Sequence, residues 1–336
     1  MPYYAGLDAG GTKTHCLIAD ANGRVLGFGA AGPGNYEVSG SPSARREIEH
    51  ALTGALNDAG LKSSDLTAIG LGVAGADVDE DFVMLEREVF GPVLGNLTRD
   101  FKNDSAAALR GGTHNSFGIV IACGTGCVCA GRNPAGTFGR VGGFGEEFGD
   151  ECSGTTIGLA GLRSVIQARE GIIPATLLTG LFTARADCPD ADALFRRLYQ
   201  ESITPQSLEP MAPLVFEAAF AGDSAACGIL TRGGAYLGAM VNAVARNLGM
   251  NADTFDVVMA GSVFKGSSPL LLDSMSTVVK AECTNAAMVR SVYEPVVGAL
   301  LMGFDLNNAV TDRTYVALDS SLAAIESRHN VHLKTD

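Results

Sequence analysis

Basic residues are the scarce class in this chain. Lys and Arg number 24 against 37 Asp and Glu, a net charge of −13 at pH 7. A surface that negative repels phosphate backbones, which argues against a nucleic-acid partner. Tryptophan is absent, and aromatic residues total only 7%. Met1–Gly11 has neither a basic segment nor an apolar one, so it does not read as a secretory signal. Long hydrophobic runs are missing too. The longest uncharged stretch, Gly111–Gly131, contains Thr113, His114, Asn115, Ser116 and several glycines, so no membrane span is expected. Eight cysteines in so long a chain do not make a disulfide framework and read as thiols of a reducing cytoplasm. The five histidines, His15, His50, His114, His329 and His332, form no ligand pair. No Walker A pattern, Ser-His-Asp context or low-complexity segment exists.

What the chain has is glycine, 43 of 336 residues, together with 46% hydrophobic residues. It can build ordinary cores and spends many positions on tight turns and close backbone approach. At about 150 residues per domain, the length predicts two domains. The pattern divides accordingly. Tyr3–Asp8, Thr14–Ala19 and Arg24–Gly29 read as strands, the last two joined by Asp20-Ala21-Asn22-Gly23. A helix follows from about Ser43, with Ile48, Leu52, Ala55, Leu56 and Ala59 on one face and Gly60 at its stop. Leu66–Val73 is a strand, Glu80–Val89 an acidic helix, Leu97–Phe101 a strand, and Asp104-Ser105 opens a short Ala-rich helix. Phe117–Cys123, Cys127–Arg132 and a strand from Thr137 then repeat the opening, about 115 residues later. Such a restart is the mark of a duplicated α/β unit, with a hinge near Gly111–Ser116. Residues 153–250 look mostly helical, with a stripe of Leu230, Leu237, Val241, Val244 and Leu248 that Gly249 ends. Phe255–Ala260 and Met288–Tyr293 read as strands, and Pro269–Glu282 and Pro295–Asn308 as helices. Residues 311–336 have few apolar anchors and read as a peripheral tail.

Two segments, Gly27–Gly32 and Gly70–Gly75, match G-x-G-x-x-G, but neither opens a helix in the way a dinucleotide site requires. Asp8-Ala9-Gly10-Gly11-Thr12-Lys13-Thr14 is more informative. An acid at a strand end meets a bare-backbone turn whose N–H groups can point at phosphate oxygens, and the acid can hold Mg²⁺ directly or through water. A plain hairpin turn is the bland alternative. Gly124-Thr125-Gly126 sits at the equivalent place in the second unit, again either a phosphate turn or duplicated turn chemistry. Asn103-Asp104 follows a strand end, where a carboxylate can accept a proton from an attacking alcohol, or can simply cap a helix. Gly142–Glu151 sets four acids among glycines, which suits sugar hydroxyls or an acidic surface loop. Gly261-Ser262, after a buried-type strand, could underlie an adenine ring. Cys123, Cys127 and Cys129 share strand parity, but their spacing matches no usual zinc or iron–sulfur site.

In order along the chain, Asp8–Thr12, Asn103-Asp104, Gly124–Gly126 and Ala260–Ser262 resemble the phosphate-1, connect-1, phosphate-2 and adenosine motifs of the sugar kinase/Hsp70/actin superfamily. Glu294-Pro295 through Gly303 would be its connect-2. Gly142–Gly145 with Gly149–Glu151, then Ser153-Gly154 and Ile157-Gly158, is similar to the N-acetylglucosamine kinase branch of the BadF/BadG/BcrA/BcrD ATPases. The resemblance covers roughly residues 3–305. It implies an α/β chain with two ribonuclease-H-like (actin-like ATPase) domains closing over MgATP and an amino sugar. The domains would be 1–113 and 114–294, the latter with a helical insertion. Residues 295–310 would form a helix packing back on the first domain. By motif match, Asp104 would be the general base on the sugar's 6-hydroxyl, and Asp8 would place Mg²⁺. Gly10, Gly11, Thr12, Lys13, Gly124, Thr125, Gly126, Gly261 and Ser262 would contact ATP. Asn35, Asp104, Cys127, Gly143, Phe144 and Asp150 would contact the sugar. The family usually has Trp at Phe144 and Ser at Cys127, departures that bear on which sugar is bound, and Glu151-Cys152-Ser153 replaces its common Glu-Gly-Ser. A homodimer is also implied. Two alternatives stand beside this reading: an iron–sulfur reductase activator of the same superfamily, motivated by the three cysteines, and a sugar or nucleotide sensor without catalysis.

Overall fold

The computed structural model describes residues 1–200 and 209–335; the stretch 201–208 of the predicted helical region, and Asp336, lie outside the described residues. The chain divides into two units, Met1–Ser116 with Val289–Asp336, and Phe117–Met288.

The first unit carries a five-stranded sheet of order β3-β2-β1-β4-β5. Its strands are β1 (Tyr3–Ala9), β2 (Thr14–Asp20), β3 (Val25–Ala31), β4 (Leu66–Val73) and β5 (Thr98–Asn103). β1 to β3 form an antiparallel meander, while β4 runs parallel to β1 and β5. The β2–β3 turn has the chemistry its sequence announces. Gly23 takes φ +92°, and Asp20 Oδ1 accepts from Asn22 N and Arg24 N. β4 is buried at seven of its eight positions, as a parallel strand covered on both faces must be.

One face of this sheet takes helix α1 (Ser41–Ala59) and the other α10 (Pro295–Asp305). The glycines make that contact unusually close. A Cβ on Gly6 would lie 2.0 Å from Leu300 N, one on Gly70 2.2 Å from Ala299 O, and one on Gly29 2.0 Å from Ala51 O. In the two G-x-G-x-x-G segments, Gly27, Gly29 and Gly70 therefore serve helix packing, each facing helix backbone. Between β4 and β5 the acidic segment differs from the single predicted helix. It is α2 (Asp79–Leu85), then a π-turn at Glu86–Phe90, then a helical turn at Gly91–Leu94. Pro92 has no N–H to donate four residues back, and the widened turn absorbs the loss. α3 (Asp104–Gly112) follows β5.

Residues 311–336 correct the expectation of a peripheral tail. Asp312–His329 is an 18-residue helix, α11, with Leu318, Leu322 and Ile325 buried, and Leu333 beyond it is buried as well. Four apolar anchors suffice because polar contacts complete the docking. Arg110 donates to Asp305 Oδ2 at 2.7 Å and to the Tyr315 hydroxyl at 2.8 Å, and Tyr293 donates to Asp319 at 3.0 Å. The His114 ring stacks on Tyr315 at 4.1 Å.

The second unit repeats the hairpin arrangement in a sheet of order β10-β9-β6-β7-β8. Its strands are β6 (Gly118–Cys123), β7 (Cys127–Arg132), β8 (Phe138–Gly142), β9 (Asp256–Ala260) and β10 (Ala287–Arg290). The helices are α4 (Gly154–Arg169), α5 (Leu177–Arg185), α6 (Ala191–Gln200), α7 (Ala212–Phe220), α8 (Ser224–Leu248) and α9 (Leu270–Glu282). In α8, Leu230, Leu237, Val241 and Val244 are buried, and Gly249 ends the helix in the left-handed conformation. No single described helix is long and apolar enough to cross a membrane.

Candidate functional site

In the first unit the candidate residues gather at the carboxyl ends of the parallel strands, where α/β sheets bind ligands. Asp8 is the penultimate residue of β1, and Ala9–Lys13 turns the chain into β2. The turn is closed by Gly10 N donating to Lys13 O at 2.9 Å. Gly11, Thr12 and Lys13 are exposed. Gly10 O accepts from Gly34 N at 3.0 Å and Asn35 N at 3.1 Å, so the Asn35 loop is bonded directly to the turn. Asn35 is buried, and its Oδ1 caps the short helix Tyr36–Ser39 by accepting from Glu37 N at 2.8 Å.

Asp104 follows β5, two strands along the sheet from β1 with β4 between them. The capping role falls to Asn103, whose Oδ1 accepts from Ser105 N at 3.1 Å; Asp104 is the first residue of α3 and does not supply the cap. Asp8 and Asp104 interact electrostatically. Burial, then the Asp104 and Glu294 charges, push the Asp8 carboxyl up to about 7, against the opposing pull of Lys13. A half-buried carboxylate crowded by two others suits a hard cation. Mg²⁺ characteristically takes one or two carboxylates and completes its shell with phosphate oxygens and water. Among the described residues no group of three or more His, Cys, Asp or Glu is placed to hold a metal ion alone.

In the second unit Gly124-Thr125-Gly126 joins β6 to β7, with Gly124 N donating to Gly126 O at 2.9 Å. The start of α4 is fastened to this turn: Gly154 N donates to Gly124 O at 2.7 Å and Thr155 Oγ1 to Thr125 O at 3.1 Å. Gly261 backs onto the same place. It has φ +100°, and a Cβ there would lie 2.2 Å from Cys123 O. Ser262 lines a cavity of about 660 Å³ together with Gly154, Pro213, Phe216, Val263 and Lys265.

The acidic loop is organised around Asp150, which is 5% exposed. Its carboxylate accepts from Gly143 N at 2.9 Å and from Gly145 N at 2.6 Å. Phe144, half exposed, lies under the Arg140 guanidinium at 4.6 Å. Cys127 is buried, and its Sγ lies 2.7 Å from Cys123 Sγ. Burial pushes the Cys123, Cys129 and Cys152 thiols up, which keeps them protonated and unreactive.

The profile of the BadF/BadG/BcrA/BcrD ATPase family matches residues 5–303. The chain belongs to that family. It is 29% identical to the N-acetyl-D-glucosamine kinase of Dictyostelium discoideum over 90% of this chain and 98% of that protein. It is 30% identical to the N-acetylmuramic acid/N-acetylglucosamine kinase of Clostridium acetobutylicum, over 78% of this chain and 86% of that one. Among solved structures, it resembles one from Chromobacterium violaceum described provisionally as an N-acetylglucosamine kinase. The TM-score is 0.68 at 24% identity, over 90% of this chain and 99% of the other. A ROK hexokinase from Thermus thermophilus shares the fold at TM-score 0.57 and 16% identity, over 92% and 100% of the two chains. The two mixed five-stranded sheets are thus those of the two-domain sugar kinase, actin-like ATPase fold.

Motif reading of this BadF-type chain passes over one group of residues. Asn103 Nδ2 donates to Asp77 Oδ1 at 2.7 Å, and Tyr36 donates to Asp81 Oδ1 at 2.6 Å. The signal available in the sequence was an acid shortly after the end of β4, the same position class that singles out Asp8 and Asp104.

Proposed function

We propose that this chain is an ATP-dependent kinase of N-acetylglucosamine or a close amino sugar, making the 6-phosphate. The observation that carries the reading lies in the first unit. Two carboxylates sense each other beside a bare-backbone turn, and the helix cap next to Asp104 is supplied by a different residue. The curated relatives, full-length amino-sugar kinases, support the substrate class.

In this reading Asp104 accepts the proton of the sugar hydroxyl as its oxygen attacks the γ-phosphorus of ATP. The bond to the β–γ bridging oxygen breaks, and ADP leaves. Gly10, Gly11, Thr12 and Lys13, and likewise Gly124, Thr125 and Gly126, offer backbone N–H groups and hydroxyls suited to phosphate oxygens. Asp8 would hold the cation, directly or through water, and bound Mg²⁺ would supply neutralising charge to the phosphates. Gly261 and Ser262 border the adenosine. Asn35, Cys127, Gly143, Phe144 and Asp150 are the candidate sugar contacts, and Asp150 shapes its own loop through backbone bonds from Gly143 and Gly145.

A coupled ADP-release assay over a panel of amino sugars, with and without Mg²⁺, tests this. Release that depends on N-acetylglucosamine or a near relative, and on the cation, is expected. Equal ADP release with and without every sugar would overturn the reading.

A further inference from the structure

The loop 74–78, which follows β4, sits between Asn35, a candidate sugar-site residue, and Asn103, the residue before Asp104. On one side, a Cβ on Gly75 would lie 2.8 Å from Asn35 Oδ1. On the other, Asp77 Oδ1 accepts from Asn103 Nδ2 at 2.7 Å. The loop is itself held firmly. Ala74 N donates to Ala9 O at 2.9 Å, and Asp77 N and Val78 N both donate to Asp81 Oδ2 at 2.9 Å. Asp81 Oδ1 in turn takes the hydroxyl of Tyr36, the neighbour of Asn35, at 2.6 Å. A continuous run of hydrogen bonds therefore joins the Asn35 loop to the residue before Asp104.

Asn103 is 7% exposed, so its amide must be satisfied inside the protein. An asparagine amide has one accepting and one donating end and can fit its pocket in two orientations. Here Oδ1 takes Ser105 N at 3.1 Å and Ser105 Oγ at 2.5 Å. A carboxylate opposite the other end accepts and cannot donate, so it permits only the orientation with Nδ2 toward residue 77. That orientation caps α3 and fixes the backbone from which the Asp104 side chain leaves.

We propose that Asp77 is a positioning residue of this enzyme, acting through Asn103 to set the direction of the Asp104 carboxylate. The role rests on the sugar-kinase reading above.

The test is steady-state kinetics on the full chain with ATP and N-acetylglucosamine. Asp77→Ala is expected to lower kcat by about 10- to 100-fold, with KM for ATP within about twofold. Asn103→Asp keeps the helix cap but opposes two carboxylates, and is expected to lose as much. The exchange Asp77→Asn with Asn103→Asp restores the bond with donor and acceptor reversed, and should recover kcat to within about fivefold of the parent. A purely structural role would not produce that recovery, and the exchange pair decides the matter even if Asp77→Ala fails to fold. An exchange pair no better than Asn103→Asp alone, or Asp77→Ala with kcat within about twofold of the parent, would overturn the role. A parent chain with no sugar-dependent turnover would instead remove the kinase reading, and this role with it.

Discussion

The hairpins β1–β2 and β6–β7 are two renderings of one design. In each, an apolar strand meets a glycine turn and returns antiparallel, and each inner strand pairs in parallel with a strand from later in its unit. Their chemistry is opposite. The first turn is flanked by Asp8 and Lys13, and its neighbours on the sheet edge are Asp77 and Asp104. The second is flanked by Cys123 and Cys127, buried thiols facing each other at 2.7 Å, and its functional groups are backbone and threonine hydroxyl. On the proposed reading, a scaffold used twice confines proton and cation chemistry to one copy while the other offers neutral donors. In the first copy burial and neighbouring carboxylates disfavour the charged form of Asp8; in the second the buried thiols stay protonated and fill space.

The sharpest way to break this asymmetry is Asp104→Asn. Turnover is expected to fall by about 10²- to 10⁴-fold while ATP binding, measured by titration calorimetry, stays nearly intact. Near-normal turnover would remove Asp104 from the proton-accepting role. Asp8→Asn should reduce turnover by about 10²-fold or more through lost cation placement. It should also stabilise the chain at high pH. The Asp8 carboxyl titrates at about 7 when folded against 3.8 ordinarily, so the protonated form is favoured by folding. Its contribution is complete below pH 3.8 and is lost as pH rises through 7. The variant's melting temperature should therefore exceed the parent's at pH 8 and match it at pH 4. A parent advantage at pH 8 would contradict the crowding.

Two stability measurements sharpen the comparison further. Gly6→Ala would drive a methyl to within 2.0 Å of Leu300 N, and should cost about 3 kcal/mol or more by denaturant titration. The smallest effect belongs to the thiols. Cys123→Ala should cost about 1 kcal/mol as a small cavity and leave turnover within about twofold. A large kinetic effect would mean that the sulfur pair does more than fill space.

Much of this was legible in the sequence. Leu66–Val73 and Cys127–Arg132 were bounded as they stand, because both are apolar runs between clear turn signals. The internal repeat and the two glycine turns followed from the same punctuation. α11 was missed because its anchors, Leu318, Leu322 and Ile325, lie among polar residues, and its docking depends on Arg110 and Tyr293, far away in sequence. The π-turn escaped because helical periodicity continues through it. Asn103 and Asp104 were singled out together, but which of them caps the helix depended on side-chain geometry. The Asp77–Asn103 bond joins residues from the ends of two adjacent strands, a pairing that only sheet order reveals.

The glycine seam between the first sheet and α10 carries a consequence for how this sequence can vary. Most tight contacts leave a lineage an exit, since a bulky newcomer on one side can be accommodated by shrinking its opposite number. Gly6 and Gly70 face main-chain atoms, and a Cβ on Gly303 would lie 2.7 Å from Ala5 O. Nothing smaller than glycine exists, and a peptide bond cannot be trimmed. Along this seam no second-site suppressor is on offer, so a randomised library selected for folding should return the parental residue there.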